Sequence, residues 1–193
     1  MKLLAHSMAL LTALYCTGCT TTLPLPDRIS YASEKEISQS GISTNKLSVS
    51  GNISNRKISV AKSADGFCGG GHTSTFNVGE VFNLYLEQIA KAAQITCNAN
   101  CTTAEVSIES ADLAYSLDCM RGTMNTGSFR ARLTYRITSP NGSIGIETKD
   151  YASRTVQVED ERNPNVLYPI TKSIESIAIQ SMIDLSKMIK LRE

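Results

Sequence analysis

The spacing of apolar residues along the chain predicts two amphipathic helices. Over residues 77–97, apolar side chains recur every three or four positions and form one continuous stripe. Asn77 and Glu80 have the spacing of a capping box, with Asn in place of Ser or Thr, which would place a helix N-terminus there. The second helix is predicted over residues 165–190. Its regular part starts near Tyr168, because the proline at the next position fits only the first turn of a helix.

Alternation of apolar and polar residues predicts the strands. Apolar and polar residues alternate over residues 46–50 and again over residues 56–61. Turn-forming Gly and Asn residues lie between the two segments, which is compatible with a hairpin. Residues 104–118 predict a strand with a bulge or bend at Ala111–Asp112, because the alternation changes phase there. Residues 129–138 show the cleanest alternation, and a strand resumes over residues 144–158 after a Ser-Pro-Asn-Gly turn.

The order of these elements predicts the fold class. Two strands, a helix, about three antiparallel strands and a final helix indicate an α+β fold. We expect an antiparallel sheet of about four to five strands with two amphipathic helices packed on one face. The remaining segments, including the glycine-rich residues 64–75 and residues 119–128, are predicted to be loops.

The N-terminal segment predicts export and a lipid anchor. Lys2 is followed by an apolar run too short to span a bilayer, and the run ends in Thr17-Gly18-Cys19. Small residues before Cys19 fit a cleavage site, and the segment resembles the bacterial lipobox with Cys16 where Leu is usual. Cys19 is therefore the predicted lipidation site, carrying diacylglycerol and an acyl chain such as palmitate. An ordinary secretory signal is the alternative.

This interpretation divides the chain into three parts. Residues 1–18 form the signal peptide, residues 19–45 a flexible tether rich in Ser and Thr, and residues 46–193 a single α+β domain. Thr20 stands where, by resemblance to lipoproteins of Gram-negative bacteria, Asp would favour retention in the inner membrane. We therefore expect attachment to the outer membrane, with the domain facing the periplasm.

The other four cysteines favour disulfide bonds, because an exported protein meets an oxidising compartment. Four cysteines allow three pairings, and the sequence does not choose among them. Cys97 and Cys101 lie in one short loop, which favours Cys97–Cys101 together with Cys68–Cys119. A metal site using Cys68, His72 and another pair is the alternative. The Cys-x3-Cys spacing of Cys97 and Cys101 without a second nearby His is, however, a weak zinc pattern.

Charge and motifs limit the classes of function. The chain has 19 basic and 18 acidic residues with no basic stripe, so a nucleic acid is not an expected partner. Arg130, Arg132 and Arg136 share one face of a predicted strand. They are expected to be solvated and paired with acidic side chains, and binding of an anionic lipid headgroup is the alternative.

Motifs for catalysis are weak. His72 lacks the Gly-x-Ser-x-Gly elbow of a hydrolase, and three glycines before it lack the Lys-Ser/Thr of a phosphate-binding loop. Glu147 and Asp150 could pair as carboxylates but lie on a strand predicted to be exposed. We therefore expect no catalytic residue, cofactor or metal, and predict that the protein is not an enzyme.

The order of patterns resembles the YajG-type family of small bacterial lipoproteins. The resemblance rests on the Gly-Cys anchor, the helix over 78–95, the strand opening at Val106, the hairpin strand 130–137 and the last helix. It implies a non-enzymatic envelope lipoprotein, anchored in the membrane through Cys19, that binds or scaffolds an envelope protein. One alternative is an accessory lipoprotein of a lipid-transporting ABC system, which predicts either a lipid-sized apolar groove between helix and sheet or a tail that docks on a transporter tunnel. A metal-dependent or hydrolytic enzyme is the other.

Overall fold

The structure is a computed structural model, and it describes a defined part of the 193-residue chain. The described residues are 23, 25–39, 42, 47–51, 58–61, 73–95, 101–118, 123–157 and 168–191. The helices among them are α1 (Tyr31–Gln39), α2 (Val78–Ala92) and α3 (Tyr168–Lys190). The strands are β1 (Leu47–Gly51), β2 (Ile58–Ala61), β3 (Thr73–Phe76), β4 (Thr102–Asp118), β5 (Thr123–Thr138), β6 (Ile144–Ala152) and β7 (Val156–Gln157).

The predicted α+β class is confirmed. The main sheet has the order β1-β4-β5-β6, and β7 pairs with β5 beyond the end of β6. Strands β4, β5, β6 and β7 are joined by antiparallel pairing, while β1 adds to β4 in parallel. Strands β1 and β2 do not form a hairpin. Strand β2 pairs with β3 in a separate two-stranded sheet, so the expectation of a hairpin over residues 46–61 is wrong.

An irregularity in β4 keeps its apolar residues on one face. Ile108 pairs with Leu133, and Ser110 pairs with Arg132, so Glu109 is an extra residue on this strand. Ile108 and Leu113 are five positions apart and both are buried, which strict alternation would not allow. The predicted bulge is therefore confirmed, but it lies two residues before the expected position.

The core lies between the buried face of the sheet and the helices. Helix α3 crosses β5 and also contacts α1 and α2, so most of its residues are buried. The crossing is close at Gly127 of β5, where an added Cβ would lie 2.8 Å from the backbone carbon of Pro169. This approach explains why β5 has no side chain at the point where α3 begins.

The ends of α2 differ from the prediction in detail. Asn77 makes no side-chain cap. Its amide instead donates to Glu80 at 3.0 Å and its Oδ1 accepts from the backbone of Leu23 at 2.8 Å. The helix ends at Ala92, five residues before the expected end. Gln94 adopts a φ of 53°, and the Ile95 N–H donates to the Ala90 carbonyl at 2.9 Å, as in a Schellman motif.

The segment before β1 differs most from the sequence prediction. The composition of residues 19–45 predicts a flexible tether, but Tyr31–Gln39 forms a helix within this interval. Four apolar side chains of the segment are buried in the common core: Leu23, Ile29, Ile37 and Ile42. The described part of this interval is therefore packed on the domain, because apolar burial and the contacts described below hold it there.

Three predicted boundaries also change. The expected loops at 64–75 and 119–128 contain part of β3 and the first residues of β5, respectively. The predicted strand over 144–158 is interrupted between β6 and β7. There Ser153 leaves the ladder, and its backbone N–H and Oγ bond the carbonyl and N–H of Phe129, each at 2.8 Å. Among the described residues, no helix is long and apolar enough to cross a bilayer.

Candidate functional site

Most of the cysteines singled out in the sequence lie outside the described residues. These are Cys19, Cys68, Cys97 and Cys119, and His72 is outside them as well. Cys101 is described and is disulfide-bonded. Lipidation of Cys19 and the pairings Cys97–Cys101 and Cys68–Cys119 therefore stay predictions.

A buried carboxylate joins the N-terminal segment to α3. Glu175 is almost fully buried, and its Oε1 accepts the backbone N–H of Ser30 at 2.9 Å. Ser30 is the residue before α1, and its Oγ accepts the N–H of Ser33 at 3.3 Å. This is the arrangement of a capping box. The carboxylate that normally comes from the third residue of the same helix comes here from α3.

Lys172 completes this cluster. Its Nζ donates to Glu175 Oε2 at 2.8 Å, to Ser33 Oγ at 3.4 Å and to Ser30 Oγ. An ammonium has three N–H groups, so all of its donors are used. A serine beside a lysine also occurs in nucleophilic dyads. Here the pair is committed to holding the helix N-terminus, and we assign it a structural role.

The same contacts set the charge state of Glu175. Burial alone would raise the pKa of this carboxyl, but hydrogen bonds from Lys172, Ser33 and the Ser30 backbone outweigh it and lower the pKa below 4.5. A lowered carboxyl pKa means that the unfolded chain takes up protons first on acidification. The interaction therefore stabilises the fold above about pH 4.5 and is lost as the pH falls.

Further contacts fix the chain before α1. The side chain of Leu23 is fully buried, and its N–H is held by Asn77 at the start of α2. Gln88 of α2 donates its side-chain N–H to the carbonyl of Pro26. The segment is thus attached to α2 at two points before it reaches the Ser30 cluster on α3.

A pocket of about 540 Å³ lies where this segment meets α2 and α3. Tyr85 and Tyr168 line it on the helical side, and Leu25 and Tyr31 stand at its exposed side. Its charged lining residues are Asp27, Arg28, Glu34, Lys172 and Glu175. A lining with this many charges differs from the apolar groove that the lipid-transport alternative predicts.

A second polar chain crosses the core between the sheet and α3. The Tyr135 hydroxyl donates to the Tyr151 hydroxyl at 2.6 Å, which donates to Asp184 Oδ2 at 3.2 Å. Burial raises the pKa of both tyrosines well above 10.0, and burial with the nearby Glu175 charge does the same for Tyr85. These hydrogen bonds hold α3 against the sheet, and we assign the three residues no further role.

The arginine face predicted on β5 lies on the side of the sheet away from the helices. Arg130, Arg132 and Arg136 are exposed. Arg132 binds Asp150 of β6 through two hydrogen bonds, at 2.8 and 3.0 Å. Arg130 lies opposite Asp112 and Arg136 opposite Glu105 on β4. The expectation of a solvated face with acidic partners is confirmed by these positions, and Asp150 serves as an arginine partner.

The outer edge of the sheet carries exposed apolar side chains. No other described strand pairs with β6 on the side away from β5. Ile144 and Ile146 are 55% and 66% exposed, and they alternate with half-buried residues along the strand. Ile146 lies directly opposite Arg136, so both isoleucines share the outer face of the sheet with the arginines.

Sequence reasoning missed the Glu175 cluster. Its signal was one acidic residue, Glu175, between Ile174 and Ser176 in a helix with a long apolar stripe, with Lys172 three positions earlier. Such a residue is rarely buried without a partner. The partner could not be named, because Ser30 lies 145 residues earlier in the chain.

Comparison with known proteins gives distant structural likeness only. No family model and no curated protein matches the chain. Rare lipoprotein B from Shewanella oneidensis is 9% identical, with a TM-score of 0.37, covering 76% of this chain and 98% of its own. A DUF330 protein from Xanthomonas campestris is 7% identical, with a TM-score of 0.42, covering 90% and 99%. A minor lipoprotein from Acinetobacter baumannii is 14% identical, with a TM-score of 0.35, covering 75% and 93%.

Likeness at these TM-scores carries no argument about the function of this chain. The resemblance to the YajG-type lipoproteins is not tested by these comparisons and stays a prediction.

The first prediction concerns the Lys172–Glu175 pair. Lys172→Met leaves a buried carboxylate without its cation, and we expect a loss of about 3–5 kcal/mol in the free energy of unfolding. The double variant Lys172→Met, Glu175→Gln removes both charges and should cost less than the single change. Urea denaturation of the three proteins measures both values.

Lys187→Met is the matched control, because Lys187 is an exposed lysine of the same helix and its ion pair with Asp184 spans 3.6 Å. It should change stability by less than about 1 kcal/mol. If Lys172→Met were as mild as this control, the proposed role of the buried pair would be wrong.

The second prediction is an alkaline transition. Tyr85, Tyr135 and Tyr151 have raised pKa values in the fold, so the unfolded chain loses these protons first once the pH passes 10.0. Their contribution to stability is therefore complete below that pH and is lost above it. Tyrosinate absorbance and far-ultraviolet circular dichroism, followed together against pH, should show these tyrosines ionising in one step with loss of helix.

Tyr135→Phe should remove one tyrosine from that step, while Tyr31→Phe at an exposed position should leave it unchanged. Ionisation of every tyrosine with the helical signal intact would contradict the buried network.

Proposed function

We propose that this chain is a lipid-anchored lipoprotein of a bacterial envelope that acts by binding a partner protein. The anchor is Cys19, the membrane is the outer membrane, and the domain faces the periplasm. The anchoring rests on the apolar run and Thr17-Gly18-Cys19 at the N-terminus. Two or three acyl chains at such a cysteine would hold the protein firmly, whereas one would not.

The observation that carries partner binding is the outer edge of β6. No described strand pairs with this edge, and soluble proteins usually protect open strand edges because their backbone groups can pair with another chain. Here Ile144 and Ile146 add two exposed apolar side chains along it. We infer that an extended segment of the partner adds to β6 as a further strand, with the isoleucines as its apolar contacts.

The proposal includes no catalytic step. The described cluster that most resembles a nucleophilic site contains Ser30 and Lys172, and its hydrogen bonds hold the N-terminus of α1. The carboxylate of Asp150, considered for acid–base chemistry, is bound by Arg132. Both groups therefore have structural roles that account for their positions.

Anchoring is tested by changing each N-terminal cysteine in cells fed a palmitate analogue. Cys19→Ser should abolish labelling and release the protein from the membrane fraction, because the variant lacks the thiol that follows the predicted cleavage site. Cys16→Ser is the matched control and should remain labelled and bound. Labelling that survives Cys19→Ser would contradict the assigned anchor.

Partner binding is tested with a photo-reactive amino acid placed at Ile146 in intact cells. We expect one discrete cross-linked protein from this position, and its loss when Ile144→Lys is added, because a charge at the edge opposes strand addition. Lys91, exposed on α2, is the control position. The same products from both positions, or none from Ile146, would contradict partner binding at β6.

A further inference from the structure

The first described residue lies very close in the chain to the proposed anchor. Leu23 is four residues after Cys19, and its side chain and N–H are both held by the domain. Four residues span at most about 14 Å when fully extended. If Cys19 carries the lipid, the domain cannot move away from the bilayer by more than this distance, however the intervening residues are arranged.

The described segment that follows Leu23 in the chain has side chains suited to a membrane interface. Leu25 is 49% exposed and Tyr31 is 83% exposed, and both stand at the open side of the pocket between α2 and α3. They are two of the five large apolar side chains that the described residues leave exposed. Tyrosine is common at the headgroup level of bilayers, where its ring is partly buried and its hydroxyl remains hydrated.

The charge of this surface points to an apolar contact with the membrane. Two basic and three acidic side chains lie between positions 25 and 36: Arg28, Lys35, Asp27, Glu34 and Glu36. A nearly balanced set gives little attraction to anionic lipids. Contact would therefore depend on burial of Leu25 and Tyr31 and on the short distance to the anchor.

We propose that Leu25 and Tyr31, the anchor-proximal surface, rest in the headgroup region of the bilayer that holds Cys19. The inference depends on the proposed lipidation of Cys19. It also orients the molecule, because Leu25 and Tyr31 lie on the helical side of the sheet while Ile146 lies on the opposite face. With the helical side against the membrane, the arginine face and the isoleucines of β6 are directed away from the bilayer, where a periplasmic partner can reach them.

The chain contains no tryptophan, so a single introduced tryptophan reports on one position. The test uses the mature acylated protein in phosphatidylcholine vesicles that contain brominated lipids, which quench tryptophan on contact. In the Tyr31→Trp variant we expect strong quenching and a blue-shifted emission. The Ile146→Trp variant, exposed on the other face of the sheet, is the matched control and should show neither effect.

Failure of the inference and failure of the proposed function give different results. Protein that does not float with the vesicles would contradict the anchor at Cys19, and with it the inference. If both variants float and the Tyr31→Trp protein is no more quenched than the Ile146→Trp protein, only the membrane contact of the anchor-proximal surface is contradicted. Equal quenching by anionic vesicles in low and high salt is expected from the balanced charge. Quenching that disappears in high salt would contradict the apolar contact.

Discussion

The position of the N-terminal segment depends on the buried carboxylate of Glu175. A carboxylate inside a protein is stable only when its charge and its lone pairs are compensated. Here the compensation comes from Lys172 on the same helix and from the backbone of Ser30, at the far end of the chain. Removing either partner leaves a group that is costly to bury, so helix α1, helix α3 and the charge pair stabilise one another.

The sheet and the other two helices, α1 and α2, all pack against helix α3. Its inner side crosses β5, closely enough at Gly127 that a side chain would not fit, and Asp184 is joined to the sheet through Tyr151. Its other side carries α1 and α2. This arrangement explains why most residues of this helix, which the sequence predicts to be amphipathic, are buried in the structure. It also explains why the chain before β1 belongs to the domain.

Local patterns predicted the elements, and long-range contacts decided their partners. The apolar stripes of α2 and α3 and the alternation of β5 each reflect one face packed on a core, so they could be recognised in the sequence. The parallel pairing of β1 with β4 could not be recognised in this way. Turn-forming residues lie between β1 and β2 in the sequence, and they favour a hairpin of these two strands. Helix α1 was missed because Ile37 is the one apolar residue on its buried side, and the acid that caps it comes from α3. The prediction of an anchor at Cys19 depended only on the residues of the signal segment and required no knowledge of the fold.

The proposed position of the domain at the membrane depends on residues 31–39 being part of the rigid domain and not of a tether. Backbone ¹⁵N relaxation of these amides tests it most directly. We predict order parameters of about 0.85, equal to those of β5, because the Ser30–Lys172–Glu175 cluster holds the start of the helix. Values below about 0.6 over residues 31–39, with β5 rigid in the same sample, would contradict the claim.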